Sequence, residues 1–282
     1  MTTGATFRDL TADDVGDGLA LCRESGWNQT EADWRMLLPP PSVFRAAVVD
    51  GRVVGSAGAM VYGDLVAWVC MVLVSPAQRG QGLGTRLVEQ VLERLEAVRA
   101  VGLDATPKGQ SVYARLGFEP TSSLARLLVI PGETPPRRAE GARPMTEADL
   151  ARVLPRDEAV FGADRARVLR QAFASAPEYA WCVGPAEAIH AYGFGRHGAT
   201  AEHIGPVVAE TGAAATALVR ACLGANPGRR FFLDAPARSE WREALRAMGF
   251  REQRPFTRMY RGGLFPTAQP ERVYAAFGPE LG

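Results

Sequence analysis

The stretch RGQGLGTRLVEQVLERL, residues Arg79–Leu95, places three glycines within five residues, directly before an amphipathic pattern. Glycine is a poor helix former, so propensity does not explain why glycines precede a helix here. The apolar residues that follow recur at helical spacing and predict a long helix whose buried face carries Leu83, Leu87, Val88, Val91, Leu92, Leu95 and Val98. The glycines therefore need a reason other than helix formation.

A strand that enters an R-x-x-G-x-G loop and then a helix surrounds one point with backbone N–H groups and the positive end of the helix. Glycine lets the backbone approach phosphate oxygens where a Cβ atom would collide. The arginine can add a bidentate contact. We therefore predict a pyrophosphate site formed by Arg79, Gly80, Gln81, Gly82, Leu83, Gly84 and Thr85. The alternative is a loop that only caps the helix.

Two other phosphate-binding motifs do not fit this loop. A Walker-type loop needs a lysine where Thr85 stands, and a dinucleotide-binding loop needs a third glycine where Leu87 stands. The first half of the chain has no histidine, which excludes a Ser/His/Asp or Cys/His nucleophile there. The later histidines, His190, His197 and His203, lack a recognised ligand spacing, and we expect no metal site.

Composition sets wider bounds. The chain has 282 residues, enough for two domains, with 47% apolar residues, 22% charged residues and a net charge of +1. This near-neutral charge gives no reason to expect nucleic acid or an anionic membrane as a partner. No apolar run reaches the roughly 20 residues of a membrane span. The N-terminus does not resemble a signal peptide, and the four cysteines are scattered, so we expect a soluble cytoplasmic protein with reduced thiols.

The order of predicted elements divides the chain in two. The first half reads as two helices, three antiparallel strands with turns at Asp50–Gly51 and Gly63–Asp64, the glycine loop and its helix, a strand, a short helix and a final strand. The proline-rich stretch that follows predicts a linker at 131–143 between domains at 1–130 and 144–282. The order then recurs, with LDA at 103–105 and 233–235 and TRLV at 85–88 against TALV at 216–219. These matches indicate a diverged tandem repeat.

At these residues the first half resembles the GNAT N-acetyltransferase superfamily. VLVSPAQRGQGLGTRLV is similar to the acetyl-CoA motif of that family, and YARLGF, Tyr113–Phe118, to its next motif. GWNQTEADW, LDATPKG and the closing FGPELG resemble a two-lobed bacterial subfamily. The resemblance implies an α/β (α+β) fold of tandem GNAT domains, each with a mixed, mostly antiparallel central sheet flanked by helices.

The resemblance also implies a chemistry. Acetyl-CoA would be the co-substrate, with its pantetheine arm on the separating strand at Val72, Leu73 and Val74, and an amine would attack directly in a ternary complex. Tyr113 would protonate the departing thiolate. A backbone N–H would polarise the thioester carbonyl. Trp27 and Asn28 would line the site of a small amine or amino-acid-like acceptor.

Several points stay open in the sequence. No general base is assigned, and Asp64, Glu24, Glu31 and Asp33 are loose candidates for it. The alternative to an enzyme is a non-catalytic acyl-CoA-binding sensor or interaction module. In the second half, Glu210, Ala213, Ala215 and Leu245 stand where the first half has Arg79, Gly82, Gly84 and Tyr113. We therefore expect a degenerate second domain that supports the first, lines the acceptor site or forms a homodimer surface.

Overall fold

A computed structural model of the chain describes residues 4–130, 141–263 and 269–282. We call residues 4–130 the first lobe and the described residues from 141 onward the second lobe. The glycines at the two predicted turns adopt positive φ angles, as tight hairpins require. The first lobe contains β1 (Thr6–Asp9), α1 (Val15–Glu24), α2 (Glu31–Leu37), β2 (Val43–Val49), β3 (Arg52–Tyr62), β4 (Val66–Val74), α3 (Leu83–Glu93), β5 (Ala100–Ala105), α4 (Gln110–Arg115) and β6 (Glu119–Val129).

The second lobe repeats this order after two longer helices. Of the predicted linker, residues 131–140 lie outside the described residues, while Ala142 and Arg143 already belong to a strand. The domain boundaries themselves stay a prediction. The elements are β7 (Ala142–Pro144), α5 (Glu147–Phe161), α6 (Ala166–Ser175), β8 (Trp181–Val183), β9 (Ala191–Arg196), β10 (Glu202–Ala209), α7 (Gly212–Ala225), β11 (Phe231–Pro236), α8 (Ser239–Ala247), β12 (Arg251–Arg261) and β13 (Val273–Ala275).

The two lobes exchange their long final strands. The described strands form one sheet in the order β1-β2-β3-β4-β5-β12-β6-β11-β10-β9-β8-β7, and β13 adds to β10. Strand β6 of the first lobe therefore pairs with β11 of the second, and β12 of the second lobe pairs with β5 of the first. Most neighbouring strands are antiparallel, whereas the β4–β5 and β10–β11 pairs are parallel. The predicted mixed, mostly antiparallel sheet is confirmed, and its continuity joins both lobes.

Helices cover both faces of the sheet. The apolar face of α3, with Leu87 and Val91 fully buried, packs on one side of the first lobe. On the other side, α1 and α2 share a single apolar core with α5 and α6 of the second lobe, which includes Trp34 and Phe161. The second lobe has a further core beneath α7 and α8.

The exchange places equivalent ion pairs at equivalent positions. Asp104 on β5 forms two 2.9 Å contacts with Arg258 on β12. Asp234 on β11 forms two 2.8 Å contacts with Arg126 on β6. Both aspartates come from the repeated LDA string, so these cross-lobe pairs support the interpretation of a tandem repeat.

Candidate active site

The glycine loop opens directly into α3. Gly80 and Gly82 both have φ of +78°, a left-handed conformation that side-chain-bearing residues rarely adopt, and Gly82 is the N-cap residue of α3. A Cβ atom built on either glycine would meet nothing within 4 Å. Because Gly82 has no side chain, it cannot cap the first N–H groups of the helix. The loop therefore presents free donors and open space, which fits a pyrophosphate.

The polar residues of the loop lie around this point. The Arg79 side chain is exposed, and its Nε donates to the Val74 carbonyl at 2.9 Å while its Nη2 contacts Ser25 Oγ at 3.3 Å. Gln81 contacts Gln78 at 3.1 Å. Thr85 lies half-buried in the first turn of α3, whereas Leu83 is buried and can contribute only its backbone. The structure thus places all seven predicted loop residues, Arg79 to Thr85, around the start of α3.

Strands β4 and β5 separate beside the loop. Their ladder ends at the pair Trp68 and Gly102, so no strand in the described part of the chain pairs with the β5-facing edge of β4 from residue 69 to 74. Met71 has φ of +52° within a bulge, and the Ser56 hydroxyl donates to the Met71 carbonyl at 2.7 Å. A bulge bends a strand and changes the direction of its backbone groups. The predicted segment Val72–Val74 therefore lies along an open strand edge, where free N–H and C=O groups could bind an extended ligand.

Tyr113 lies on α4 beside this separation. Its ring packs edge-to-face on Phe118, with centroids 6.0 Å apart, and a Cβ on Gly109 would come within 2.8 Å of the ring. Burial, and more weakly the nearby Cys70 of β4, raise the pKa of the Tyr113 phenol well above its usual range. Among the described residues, none forms a hydrogen bond with the Tyr113 hydroxyl. A protonated, unbonded phenol therefore lies near the open edge of β4.

The corresponding region of the second lobe is filled by the chain itself. Helix α7 carries an N-cap threonine, Thr211, whose hydroxyl accepts from the Ala214 N–H at 3.2 Å. Where β10 and β11 separate, β13 pairs with β10, matching Val207 with Ala275. The Trp241 indole on α8 also donates to a β13 carbonyl at 2.7 Å. The second lobe therefore lacks both the free helix end and the open strand edge.

The predicted acceptor residues lie at the contact between the lobes. Trp27 is half-buried against the shared core. The Asn28 side chain donates to the Ala201 carbonyl at 2.7 Å and accepts from the Thr200 backbone, the Thr200 hydroxyl and the Ala201 backbone at 2.8–3.1 Å. Both polar atoms of this amide are thus bonded to the turn between β9 and β10. Asn28 holds the lobes together, and its predicted contact with an acceptor stays a prediction.

The base candidates separate into surface and interior residues. Glu24 and Asp64 are exposed, and Glu31 pairs with Arg35 at 2.7 Å. Asp33 is buried and ion-paired with Arg196 of β9.

Sequence reasoning missed Glu280. Residues 276–282 turn back into the first lobe, where the Tyr62 hydroxyl donates to the Leu281 carbonyl and the Trp68 indole to the Pro279 carbonyl, at 2.9 and 3.0 Å. The Glu280 carboxylate also pairs with Arg196. The closing FGPELG was the only signal for this segment, and nothing in it shows where the segment packs.

The described ranges contain neither a candidate membrane span nor a candidate metal cluster. None of their helices combines the length and apolar content that a membrane span requires. No group of three or more His, Cys, Asp or Glu side chains in those ranges is arranged to hold a metal ion. His203 instead contacts Asp234 at 3.0 Å, and His197 contacts Glu202 at 2.9 Å. All four cysteines are buried and free.

Comparisons with known proteins place both lobes in one family. A model described as "Acetyltransferase (GNAT) family" matches residues 12–118, and one described as "Acetyltransferase (GNAT) domain" matches residues 153–275. The chain is 27% identical to a holothin acyltransferase from Pseudoalteromonas sp. (strain SANK 73390) over 85% of this chain and 81% of that protein. It is 24% identical to the uncharacterized N-acetyltransferase YitH of Bacillus subtilis (strain 168), over 86% of each.

Solved structures show the same fold. A candidate acetyltransferase from Pyrococcus horikoshii superposes with a TM-score of 0.82 at 20% identity, over 100% of this chain and 97% of that one. A tandem GNAT protein from the clavulanic acid biosynthesis pathway gives a TM-score of 0.64 at 16% identity, over 92% and 99%. The chain is a two-lobed member of the GNAT acetyltransferase superfamily, and its reaction class is acyl transfer.

Proposed function

We propose that this chain is an N-acetyltransferase that moves an acetyl group from acetyl-CoA to the primary amine of a small molecule by direct attack. The observation that carries this proposal is Tyr113, a phenol without a hydrogen-bond partner among the described residues, beside a free strand edge and an uncapped helix. The family uses acetyl-CoA. A binding protein that only senses acyl-CoA would need the loop and the strand edge but not a protonated phenol.

The residues present fit acetyl-CoA, which supplies the activated acyl thioester. The start of α3, with Arg79 and the open space at Gly80 and Gly82, would bind the pyrophosphate. The free edge of β4 at Val72–Val74 would bind the pantetheine arm through backbone hydrogen bonds. A β4 N–H beside the Met71 bulge would polarise the carbonyl oxygen as negative charge develops on it.

The acceptor nitrogen loses two protons in the reaction, and CoA leaves as a thiolate. The acceptor ammonium first gives one proton to solvent, and its nitrogen lone pair then forms the bond to the acetyl carbon while the carbon–sulfur bond breaks. The nitrogen gives its second proton to solvent as the amide forms, and the thiolate takes a proton from solvent after release. Tyr113 donates a hydrogen bond to the sulfur as it becomes a thiolate. A thiol has a pKa of about 8.5 and a free phenol about 10, so a phenol with a raised pKa stabilises the thiolate mainly by that hydrogen bond.

Release of free CoA thiol tests the proposal. Full-length protein is mixed with acetyl-CoA and a panel of amines, and thiol is measured with a colorimetric reagent while products are identified by mass spectrometry. We expect an acetylated amine in amounts equal to the thiol released. Tight acetyl-CoA binding without amine-dependent thiol release would instead favour the sensor.

A further inference from the structure

Unpaired polar atoms concentrate between the two lobes. We call the polar sheet surface formed by Asp104, Arg126, Asp234, Arg254 and Arg258, together with Asp33, Arg196 and Glu280, the inter-lobe face. Seven buried side-chain N or O atoms among the described residues lack a hydrogen-bond partner. Five belong to this face or contact it: Gln29 Oε1, Arg196 Nε, His203 Nδ1, Arg254 Nε and Glu280 Oε2. Protein interiors leave few such atoms unpaired, so this cluster indicates a polar ligand.

One end of the inter-lobe face has an excess of negative charge. Asp33 and Glu280 share a single guanidinium, that of Arg196. Glu280 Oε1 also accepts from Gln29 at 3.2 Å, whereas Oε2 has no partner although the side chain is only 3% exposed. A buried carboxylate oxygen without a donor is costly. A cation bound at Oε2 would remove that cost.

The other end has an excess of positive charge. Arg254 lies directly across from Arg126 in the β6–β12 ladder, and like charges in that position repel. The Asp234 carboxylate on the neighbouring strand β11 is already engaged by Nε and Nη2 of Arg126 and by Nε2 of His203. Burial and the neighbouring Arg126 lower the pKa of Arg254. Within the described residues Arg254 has no acidic partner, so this end would accept an anion.

Both ends belong to the inter-lobe face, which lies next to the separated strands. The Glu280 carboxylate acts electrostatically on Arg126 and Arg254 of this face. Trp68 stands at the last pair between β4 and β5, and its indole donates to the carbonyl of Pro279, the neighbour of Glu280, at 3.0 Å. The Arg258 guanidinium of the inter-lobe face lies 4.5 Å from the centroid of the same indole ring. The inter-lobe face therefore adjoins the start of the open β4 edge, where the acyl group would be transferred.

We propose that the inter-lobe face binds a small zwitterionic acceptor, an amino acid or a close analogue, with its ammonium at Glu280 Oε2 and its carboxylate at Arg254. This inference rests on the proposed N-acetyltransferase function and names its acceptor class. Glu280 is a positioning residue rather than the base. Although burial opposes the effect, Arg196 and Arg126 hold the pKa of Glu280 below its usual range, which makes it a weak proton acceptor.

Matched acceptor pools test the charge requirement. The full-length protein with acetyl-CoA receives the standard amino acids, the same amino acids as C-terminal amides, or simple alkylamines, and acetylated products are measured by mass spectrometry. We expect kcat/KM for the amino acids that react to exceed that of their amides at least tenfold. Amides lack the anion that Arg254 would bind.

Substitutions at Arg254 and Glu280 test which end of the inter-lobe face binds which charged group of the acceptor. Arg254→Gln should lower kcat/KM at least tenfold for the amino acids and much less for the amides, with partial recovery in Arg254→Lys. Glu280→Gln, which keeps the size of the side chain, should raise KM for both pools. Arg152→Gln, at an exposed position on α5, is the control and should change neither. Thermal unfolding of each variant, with and without the amino-acid pool, shows whether it folds and whether it binds.

The outcomes separate the two proposals. Equal rates for amino acids and amides, or product from alkylamines alone, would overturn the zwitterion and leave the N-acetyltransferase standing. No transfer to any amine, with amino acids still stabilising the wild type but not Arg254→Gln, would overturn the transferase function and keep the binding site. No transfer and no stabilisation would overturn both.

Discussion

The two lobes share the same order of strands and helices but differ in what occupies the cleft beside the separated strands. Each begins with a bidentate ion pair onto a capping aspartate, Arg8 with Asp14 and Arg143 with Asp149, at 2.7–2.8 Å. Each also donates its long final strand to the other.

The two lobes differ at the positions where a cofactor would bind. In the first lobe α3 begins after glycines and beside an open strand edge, whereas α7 is capped by Thr211 and the equivalent edge is taken by β13. The same sheet topology can thus be kept with or without an open site, provided that where the site is closed the chain itself satisfies the exposed backbone groups.

Removing the Tyr113 hydroxyl should have the largest effect. Tyr113→Phe should lower kcat by about 100-fold with little change in acetyl-CoA affinity, because the hydrogen bond to the sulfur forms only as the thiolate develops. Tyr274→Phe in the second lobe is the matched control and should retain wild-type turnover. Steady-state kinetics with any accepted amine measures both. Near-normal turnover in Tyr113→Phe would show that water or another group donates the hydrogen bond to the sulfur.

A side chain in the glycine loop should weaken cofactor binding next most strongly. Gly82→Val puts a branched side chain where the pyrophosphate would meet the backbone, and we expect acetyl-CoA affinity to fall by about tenfold or more. Ala213→Val, at the aligned position of α7, should change nothing. Gly63→Val has a similar positive φ and open space in a hairpin away from the loop, so it controls for backbone strain alone. Calorimetric titration compares the acetyl-CoA affinity of the three variants with that of the wild type. If Gly82→Val binds acetyl-CoA as tightly as the wild type does, the pyrophosphate site is not in this loop.

The number of binding sites should be one per chain rather than two. Because β13 and the Thr211 hydroxyl use the groups of the second lobe that would bind a cofactor, only the first lobe is open. Titration of the full-length protein with a non-hydrolysable acetyl-CoA analogue should give a stoichiometry near one. Two equivalent sites would contradict the assignment of the second lobe as degenerate.

The smallest expected effect is on stability, at the ion pairs with which each lobe begins. Asp149→Asn should lower the free energy of unfolding by about 2 kcal/mol, since it weakens a charged, bidentate hydrogen bond. Asp14→Asn should cost less, because Asp14 is 9% exposed and Asp149 only 1%. The contact with Arg143 holds the pKa of Asp149 far below its usual range. This stabilisation is therefore complete above the unfolded-state pKa of about 4 and is lost as pH falls below it.

Denaturation of both variants and the wild type at pH 7 and pH 3 measures how much free energy of unfolding each substitution removes and whether that loss becomes smaller at low pH. A difference between wild type and Asp149→Asn that grows on acidification would contradict this origin of the stability.

Local patterns predicted local structure well. Apolar spacing predicted α3 and most of its buried face, but the helix ends at Glu93, so Leu95 and Val98 lie beyond it. The Asp50–Gly51 and Gly63–Asp64 turns delimited β2, β3 and β4. Alternation within a strand shows that a strand forms but does not show which strand pairs with it. The exchange of β6 and β12 was therefore invisible in the sequence, since either partner would bury the same residues.

The site was predictable only where it is contiguous in sequence. The loop at Arg79–Thr85 is one short segment, and its glycines have a direct steric reason. The inter-lobe face collects side chains from distant strands, such as Arg126, Arg196 and Arg254, and from residue 280. Nothing local marks those residues as neighbours. Asn28 shows the opposite case, in which a local pattern suggested an acceptor-binding residue. The residue lies in the expected turn, but its side-chain amide is bonded to the second lobe.

The position of β13 links the closed cleft of the second lobe to the placement of Glu280 on the inter-lobe face. The chain that fills the second cleft continues, within five residues, to Glu280 on the inter-lobe face. Emptying that cleft would release the anchor that holds this carboxylate beside Arg196. Placing an arginine at Glu210 and glycines at Ala213 and Ala215 would thus not be enough to create a second cofactor site. A protein engineered to bind two acetyl-CoA molecules would first need another route for its last ten residues, and it would risk losing the proposed acceptor site on the inter-lobe face.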